Sequence, residues 1–509
     1  MRFFSKLKKR STGVEDYSFY QYFESHPKKD LFIFHNWDGS KEILNGKQLA
    51  EEVSDVGSIL QGKLASQERV ILVLPKGSDF VVGLLSCFYS NLVAIPLSNE
   101  DFDNDELIIG KIASILNDAK ASCIISDKKY ISSLLNAEEF SNIHILDIKQ
   151  LRSKALNYNG RSQKVQRKQM PNDMAVILYT SGSTSGPKGV IHTHFDIWKN
   201  SKQIAEMWKM EENSIVVSWL PPSHLFGLEL NVLVPIVVGS TSVCIDTNLF
   251  LKTPVKWFQY IDYYGATHSG APNFAFDYCV SNIDILKFGE LSLKSLKAMV
   301  CAGEAVRKET YDAFYKKFEV LGFNKNCFCP HYGSTEVQAA IAKEPGKPVE
   351  FFELDTCELE KGKAVRVEGE GKGRIVACCG IPRPDITIKI VDVDNKRIKG
   401  ENEIGEIWIK AEGVSPGYFG KQKETEEVFN QYLEETGENG FNRTGDLGFF
   451  ENENLYIVGR EKDIIIVHGK NFSPIEIERT IKKYLPELTL STVIFSCEES
   501  GREHIILVQ

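Results

Sequence analysis

The sequence predicts an α/β protein. It would comprise a large N-terminal domain of two β/α subdomains with mostly parallel sheets, a small β-barrel-like subdomain, and a partial α+β C-terminal domain. Three observations carry this expectation. From about residue 45, short Val/Ile/Leu runs alternate with amphipathic stretches of helix length, the pattern of parallel strands covered by helices on both faces. After about Glu344 the texture changes to short strands between Gly, Asp and Asn turns. At 509 residues the chain also exceeds a single hydrophobic core.

Taken in order, residues 48–64, 77–90 and 105–119 have helical apolar spacing, and residues 69–74, 92–97 and 122–126 are apolar enough for strands. Residues 157–173 are polar and rich in Lys and Arg, a connector to the strand at 174–180. A second run follows, with strands expected at 214–219, 241–246, 266–269, 295–302 and 327–331 and a helix at 253–264. Several of these strands end in a loop bearing Gly and a polar group, and strand C-termini are where doubly wound sheets bind ligands. Strands at 375–377, 387–393, 403–410 and 454–458 form the β subdomain. A β-α-β pattern then starts at residues 464–467, continues through a helix at 474–484 and strands at 491–496 and 504–509, and stops inside a strand. The expected division is 1–460 as the large domain (about 20–170, 171–344 and 345–460 as its subdomains) and 461–509 as a truncated, mobile C-terminal domain.

Composition excludes several classes. Hydrophobic residues make up 42% and charged residues 25%, ordinary for a globular protein. A net charge of −9 argues against a nucleic-acid binder, which should be basic. Eleven scattered cysteines lack metal-site spacing and fit a reduced compartment, so the expected location is cytoplasmic. The basic N-terminus, MRFFSKLKKRSTG, lacks the apolar core of a signal peptide, and no run is long enough to span a bilayer.

The stretch MAVILYTSGSTSGPKGVIHTH, residues 174–194, organises the chemistry. A buried strand feeds a loop in which Gly182, Gly186 and Gly189 let backbone N–H groups converge on an anion. Thr180, Ser181, Ser183, Thr184 and Ser185 add hydroxyls, and Lys188 adds a charge. This is a polyphosphate loop, but not a Walker loop: Pro187 stands where that motif needs Gly.

Four motifs in one order, YTSGSTSGPKG, YGSTE, NRTGDLG and GREKD, resemble the adenylate-forming superfamily of acyl-CoA synthetases, amino-acid adenylation domains and fatty acyl-AMP ligases. The resemblance runs from about residue 20 to the end. It implies that a carboxylate attacks the α-phosphate of ATP, giving an acyl-adenylate and pyrophosphate, and that a thiol then takes the acyl group. It implies that residues 180–188 contact the β- and γ-phosphates, with Thr180 and Lys188 in catalytic positions. In Tyr332-Gly333-Ser334-Thr335-Glu336 it implies adenine stacking by Tyr332 and Mg²⁺ coordination by Glu336. Gly303 and Glu304 would line the adenine pocket, Asp446 would accept the ribose hydroxyls, and Arg460 would complete the site. Asp463 would be the hinge of a rotating C-terminal domain. The family's catalytic lysine would lie beyond Gln509, so the sequence as it stands is expected to form adenylate poorly.

Within the superfamily, Pro222-Ser223-His224-Leu225-Phe226-Gly227 carries no acid to pair an α-amine, which disfavours amino acids. Ser218-Trp219-Leu220-Pro221-Pro222 and Ser269-Gly270-Ala271-Pro272-Asn273 look like fatty acyl-AMP ligases, placing His224, Gly227, Ser269 and Gly270 at the acyl pocket. So does the charged segment before Cys379-Gly380-Ile381-Pro382. In that branch an insertion there packs against the C-terminal domain and disfavours free CoA. The acceptor implied is the phosphopantetheine of an acyl carrier protein. Leu225, where that branch has Asp, and Ser334-Thr335, where it has Leu-Ala, leave CoA open as the acceptor. A nucleotide-binding pseudoenzyme is the non-catalytic alternative.

Overall fold

The computed structural model describes residues 19–98, 105–156, 166–180, 187–287, 290–367, 373–460, 465–467, 470–472, 477, 481, 493–499 and 502–508. Two largely parallel sheets and one antiparallel sheet make up the body of the molecule. The first has six strands in the order His144–Asp147, Cys123–Ser126, Arg69–Val73, Val93–Pro96, Met174–Thr180, Lys188–Thr193. Only its last pair is antiparallel.

The second sheet has eight strands, running Gln338–Ala342, Phe328–Ser334, Ala298–Cys301, His268–Ala271, Ile215–Ser218, Thr241–Ile245, Asp30–His35, Lys41–Asn45. It is parallel inside and closed at each edge by an antiparallel hairpin.

The two β/α runs therefore exchange strands. Met174–Thr180, read from sequence with the second run, is hydrogen-bonded beside Val93–Pro96 in the sheet of the first. The hairpin at residues 30–45, ahead of the stretch read as alternating, instead completes the eight-stranded sheet. One continuous buried cluster joins Leu72 and Val176 of the first sheet to Phe32, Phe34 and Cys244 of the second. It runs through Leu49 and Val53 of helix Gly46–Gln61, Leu84 and Leu85 of helix Ser78–Tyr89, and Ile197 and Trp198 of helix His194–Met207. Apolar burial on this scale is what fixes the sheets against each other.

The third sheet is antiparallel and open rather than a closed barrel: Phe351–Leu354, Arg374–Gly380, Asn454–Arg460, Asn439–Glu451, Gly405–Ala411, Ile386–Val391, with Gln431–Tyr432 beside Asn439–Glu451. The charged segment before residue 374 docks on this sheet. Ala364 N–H donates to Asn402, Ile404 N–H donates to Gly362, and Arg366 pairs with Glu451 and lies over the Phe352 ring. Further on, two antiparallel pairs are described, Ile465–Val467 with Lys470–Phe472 and Val493–Glu499 with Arg502–Val508. Asp463, expected as the hinge, and most of the helix expected at 474–484 lie outside the described residues. Among the described residues no helix is long and apolar enough to cross a membrane.

Candidate active site

Strands Met174–Thr180 and Lys188–Thr193 form a hairpin in which Thr180 and Lys188 are register partners, so the polyphosphate loop leaves and returns on paired residues. Ser181, Gly182, Ser183, Thr184 and Gly186 lie outside the described residues. Gly189 is required by close packing: a Cβ there would come within 2.7 Å of Ile177 Cγ2 and 2.9 Å of Tyr179 Cζ. A second segment lies along this hairpin. Phe419 N–H donates to Gly189 at 2.8 Å and Ile191 N–H to Gly417 at 3.0 Å, which places the Tyr418 ring 5.4 Å from Lys188 Nζ.

Glu336 faces the same tyrosine. It sits in the turn between strands Phe328–Ser334 and Gln338–Ala342. That turn is tight enough for a Cβ on Gly333 to fall 2.1 Å from the Gln338 carbonyl oxygen, so only Gly fits. The Tyr418 hydroxyl donates to Glu336 Oε1 at 3.0 Å, and the Ser334 hydroxyl donates to Oε2 at 3.1 Å. Burial first, and then the Glu336 charge, raise the Tyr418 pKa, so the phenol stays a donor. Thr335 is half-buried in the same turn. No cluster of three metal-ligating side chains exists among the described residues. A lone, half-buried carboxylate oxygen donor suits Mg²⁺, which takes one or two protein carboxylates and completes its shell with phosphate oxygens and water.

Asp446 is the third centre. It lies on strand Asn439–Glu451, one residue after Gly445 at φ +71°, and its cross-strand partner is Arg460. Tyr332 OH donates to Asp446 Oδ2 at 2.7 Å and Arg460 Nε to Oδ1 at 2.8 Å. Burial, then the neighbouring carboxylate, push the Tyr332 hydroxyl well above its ordinary pKa. Beneath it, Glu406 takes Arg443 Nε at 2.8 Å and Gly445 N–H at 3.0 Å, fixing the Thr444-Gly445-Asp446 bend. The bend is part of a thirteen-residue strand. Gly303, at φ +87°, and the exposed Glu304 follow strand Ala298–Cys301, the parallel neighbour of the Tyr332 strand, and Glu304 Oε1 accepts Phe274 N–H at 2.5 Å.

The acyl segment divides. His224 is exposed and precedes the one-turn helix Leu225–Leu228; Gly227 packs so closely that a Cβ would lie 2.0 Å from the Pro221 carbonyl oxygen. Phe226 from that helix meets strand His268–Ala271 at Gly270, where a Cβ would be 2.9 Å from Phe226 Cζ. Ser269 is fully buried, donates to Val217 at 2.5 Å and accepts Trp257 Nε1 at 2.8 Å, so its hydroxyl is committed to the sheet interior. The structure therefore brings Gly227 and Gly270 to one wall through Phe226, and turns Ser269 away. Sequence reasoning missed Tyr418; its signal was Pro416-Gly417-Tyr418, a turn delivering an aromatic to the loop hairpin.

An α/β fold with a Thr180–Lys188 hairpin, a lone turn carboxylate at Glu336 and an Asp446 bridged by tyrosine and arginine has the residue types of a nucleotide-dependent enzyme. The chain belongs to the family of AMP-binding enzymes, whose model matches residues 19–419. It is 33% identical over 507 residues to the medium-chain fatty acid–acyl-carrier-protein ligase JamA of Moorena producens, covering 98% of this chain and 85% of that one. It is 28% identical over 478 residues to the long-chain fatty acid–AMP ligase FadD23 of Mycobacterium tuberculosis, covering 90% and 80%. Among solved structures, the fatty acyl-adenylate ligase of L. pneumophila, in complex with acyl adenylate and pyrophosphate, superposes with a TM-score of 0.82 at 28% identity, covering 97% of this chain and 86% of that one.

Proposed function

We propose that the protein activates a fatty or similarly hydrophobic acid with ATP, releasing pyrophosphate, and passes the acyl group to the phosphopantetheine thiol of an acyl carrier protein. The observation that carries this is the convergence of separate chain segments on two centres: Asp446 between Tyr332 and Arg460, and Tyr418 between Glu336 and Lys188. In this reading Asp446 receives the ribose hydroxyls and Tyr332 stacks on adenine. Thr180 and Lys188 frame the loop on the β- and γ-phosphates. Phosphoryl substitution needs alignment and charge neutralisation rather than a protein nucleophile, and these residue types supply both.

Glu336 would hold Mg²⁺, which when bound neutralises phosphate charge. Gly303 and Glu304 border the adenine, while His224, Gly227 and Gly270 border the acyl group. Asp463 would serve as the hinge for the C-terminal domain. Cys87, Cys123, Cys244, Cys279, Cys301, Cys327, Cys329, Cys378 and Cys379 are free and buried and Cys357 is free and exposed, which suits a reducing cytoplasm. The names of JamA and the L. pneumophila enzyme support acyl-adenylate chemistry and a carrier acceptor.

The test incubates the full-length protein with ATP, a fatty acid, and either holo-carrier protein or CoA. Acyl-carrier formation with little acyl-CoA is expected. Efficient acyl-CoA formation overturns the acceptor, and absence of any acid-dependent pyrophosphate exchange overturns the activity.

A further inference from the structure

Gln338 opens strand Gln338–Ala342 at φ +55°, a left-handed conformation that suits Gly or Asn far better than Gln. Closing the hairpin alone would therefore be served by Gly. The side chain is buried, and its amide spends both N–H groups on other segments: Nε2 donates to His192 Nδ1 at 3.0 Å and to the Gly413 carbonyl at 2.7 Å. His192 is fully buried, and burial lowers its pKa to about 3, so the ring is neutral and can present Nδ1 as an acceptor with its proton on Nε2.

One amide thus ties together the turn that carries Glu336, the strand that begins at Lys188, and the loop from Gly413 to Tyr418. Two further bonds cross the same junction, Ser415 N–H to the Glu336 carbonyl at 3.1 Å and Tyr418 OH to Glu336 Oε1 at 3.0 Å.

We propose that Gln338 is a positioning residue that sets Glu336 against Tyr418, whose ring Lys188 also faces, and so fixes the carboxylate that would receive the metal. This rests on the reading of Glu336 as the Mg²⁺ carboxylate. The left-handed glutamine gains two side-chain partners that Gly would lack altogether. Groups that orient a metal-binding carboxylate typically change metal affinity or activity about 10- to 100-fold when removed.

The experiment compares full-length Q338G, which relieves the backbone, and Q338M, which keeps the volume but donates nothing, with E336Q and the parent. Three quantities are read: hydrogen exchange of the Ser415 amide without ligand, the Mg²⁺ concentration at half-maximal ATP–pyrophosphate exchange, and acyl transfer from pre-formed acyl-adenylate. Both Gln338 variants are expected to exchange faster at Ser415 and to need about tenfold or more Mg²⁺, with transfer unchanged. Parent-like Ser415 exchange and Mg²⁺ dependence in both, while E336Q abolishes pyrophosphate exchange, overturns the proposal and leaves the site reading standing. Equal loss of all activities, transfer included, overturns it in favour of a purely structural role. Mg²⁺-dependent exchange surviving in E336Q overturns the site reading and the proposal with it.

Discussion

Arg460 and Asp446 are cross-strand partners in the antiparallel sheet, and Arg460 Nε stands 2.8 Å from Asp446 Oδ1 while the other carboxylate oxygen is held by Tyr332. Both oxygens of a buried aspartate are thus already oriented by donors from two different sheets before a nucleotide arrives. Preorganised charge of this kind is what makes a ribose or oxyanion contact effective.

Replacing that aspartate tests its role. A hydrogen bond to a charged group contributes about 1.5–3 kcal/mol, so Asp446→Asn is expected to raise the KM for ATP roughly 10- to 100-fold. The Arg460 side chain is 55% exposed, so its ion pair adds little stability and the melting temperature should stay near that of the parent. Isothermal titration with ATP and a thermal melt read the two effects separately.

Tyr418→Phe removes the donor to Glu336 Oε1 but keeps the ring beside Lys188. Loss of one hydrogen bond to a carboxylate, about 1.5 kcal/mol, predicts roughly a tenfold fall in kcat/KM for ATP in pyrophosphate exchange. Unchanged kinetics would show that Tyr418 only packs the hairpin.

Gly227 and Gly270, proposed to border the acyl group, should respond differently. A methyl on Gly227 meets the Pro221 backbone at 2.0 Å, which cannot yield without moving the Pro221–Gly227 turn. Gly227→Ala is expected to destabilise by about 1–3 kcal/mol or more, seen as a lower melting temperature. At Gly270 the nearest atom is the far end of the Phe226 ring at 2.9 Å, with the Val300 carbonyl at 3.0 Å. Gly270→Ala should fold, displace Phe226 and change the acyl-chain-length preference, measured across a series of fatty acids.

The parallel strands were legible because buried runs such as Arg69–Val73 and Met174–Thr180 are continuous, apolar and bounded by turn residues. Sheet membership was not legible: which neighbour Met174–Thr180 takes is decided by Ala94 and Val176 meeting across the sheet, a contact with no local signature. The hairpin Asp30–His35/Lys41–Asn45 did carry a signal, Asp38-Gly39 between strand-like runs. The motif residues Tyr332, Glu336 and Asp446 were pointed to by the family resemblance. Their partner Tyr418 and the clamp at Gln338 were not, because each acts through a side chain that meets its target only after three segments assemble. Ser269 was expected at the end of a strand and at the acyl pocket, and the strand His268–Ala271 turns its hydroxyl inward to Trp257 and Val217.

The buried titratable groups predict how stability varies with pH. Burial lowers the pKa values of His192, His194, His268 and His331 from 6.5 to about 3, 3, 4 and 4. Between those values and 6.5 the unfolded chain binds more protons than the folded one, so their contribution is lost as pH falls below about 6.5. Glu229 has the opposite sign. It lies in the π-helical turn Glu229–Leu233 with Asn200 Nδ2 donating to it at 2.8 Å, and burial raises its pKa from 4.5 to about 8. The folded state keeps a proton that the unfolded chain releases, so stability declines as pH rises from about 4.5 to 8. Below about pH 6.5 these four histidines outweigh Glu229, and from there to about pH 8 Glu229 sets the slope among them. These groups therefore place the stability maximum near pH 6.5, with a decline above it of at most about 1.4 kcal/mol per pH unit. Glu229→Gln keeps an acceptor for Asn200 and removes the titration. Its melting temperature should exceed the parent's at pH 8, and the difference should shrink toward pH 5. A parent whose stability keeps rising to pH 8, or a variant that melts in parallel with it at every pH, would show that Glu229 is ionised in the fold.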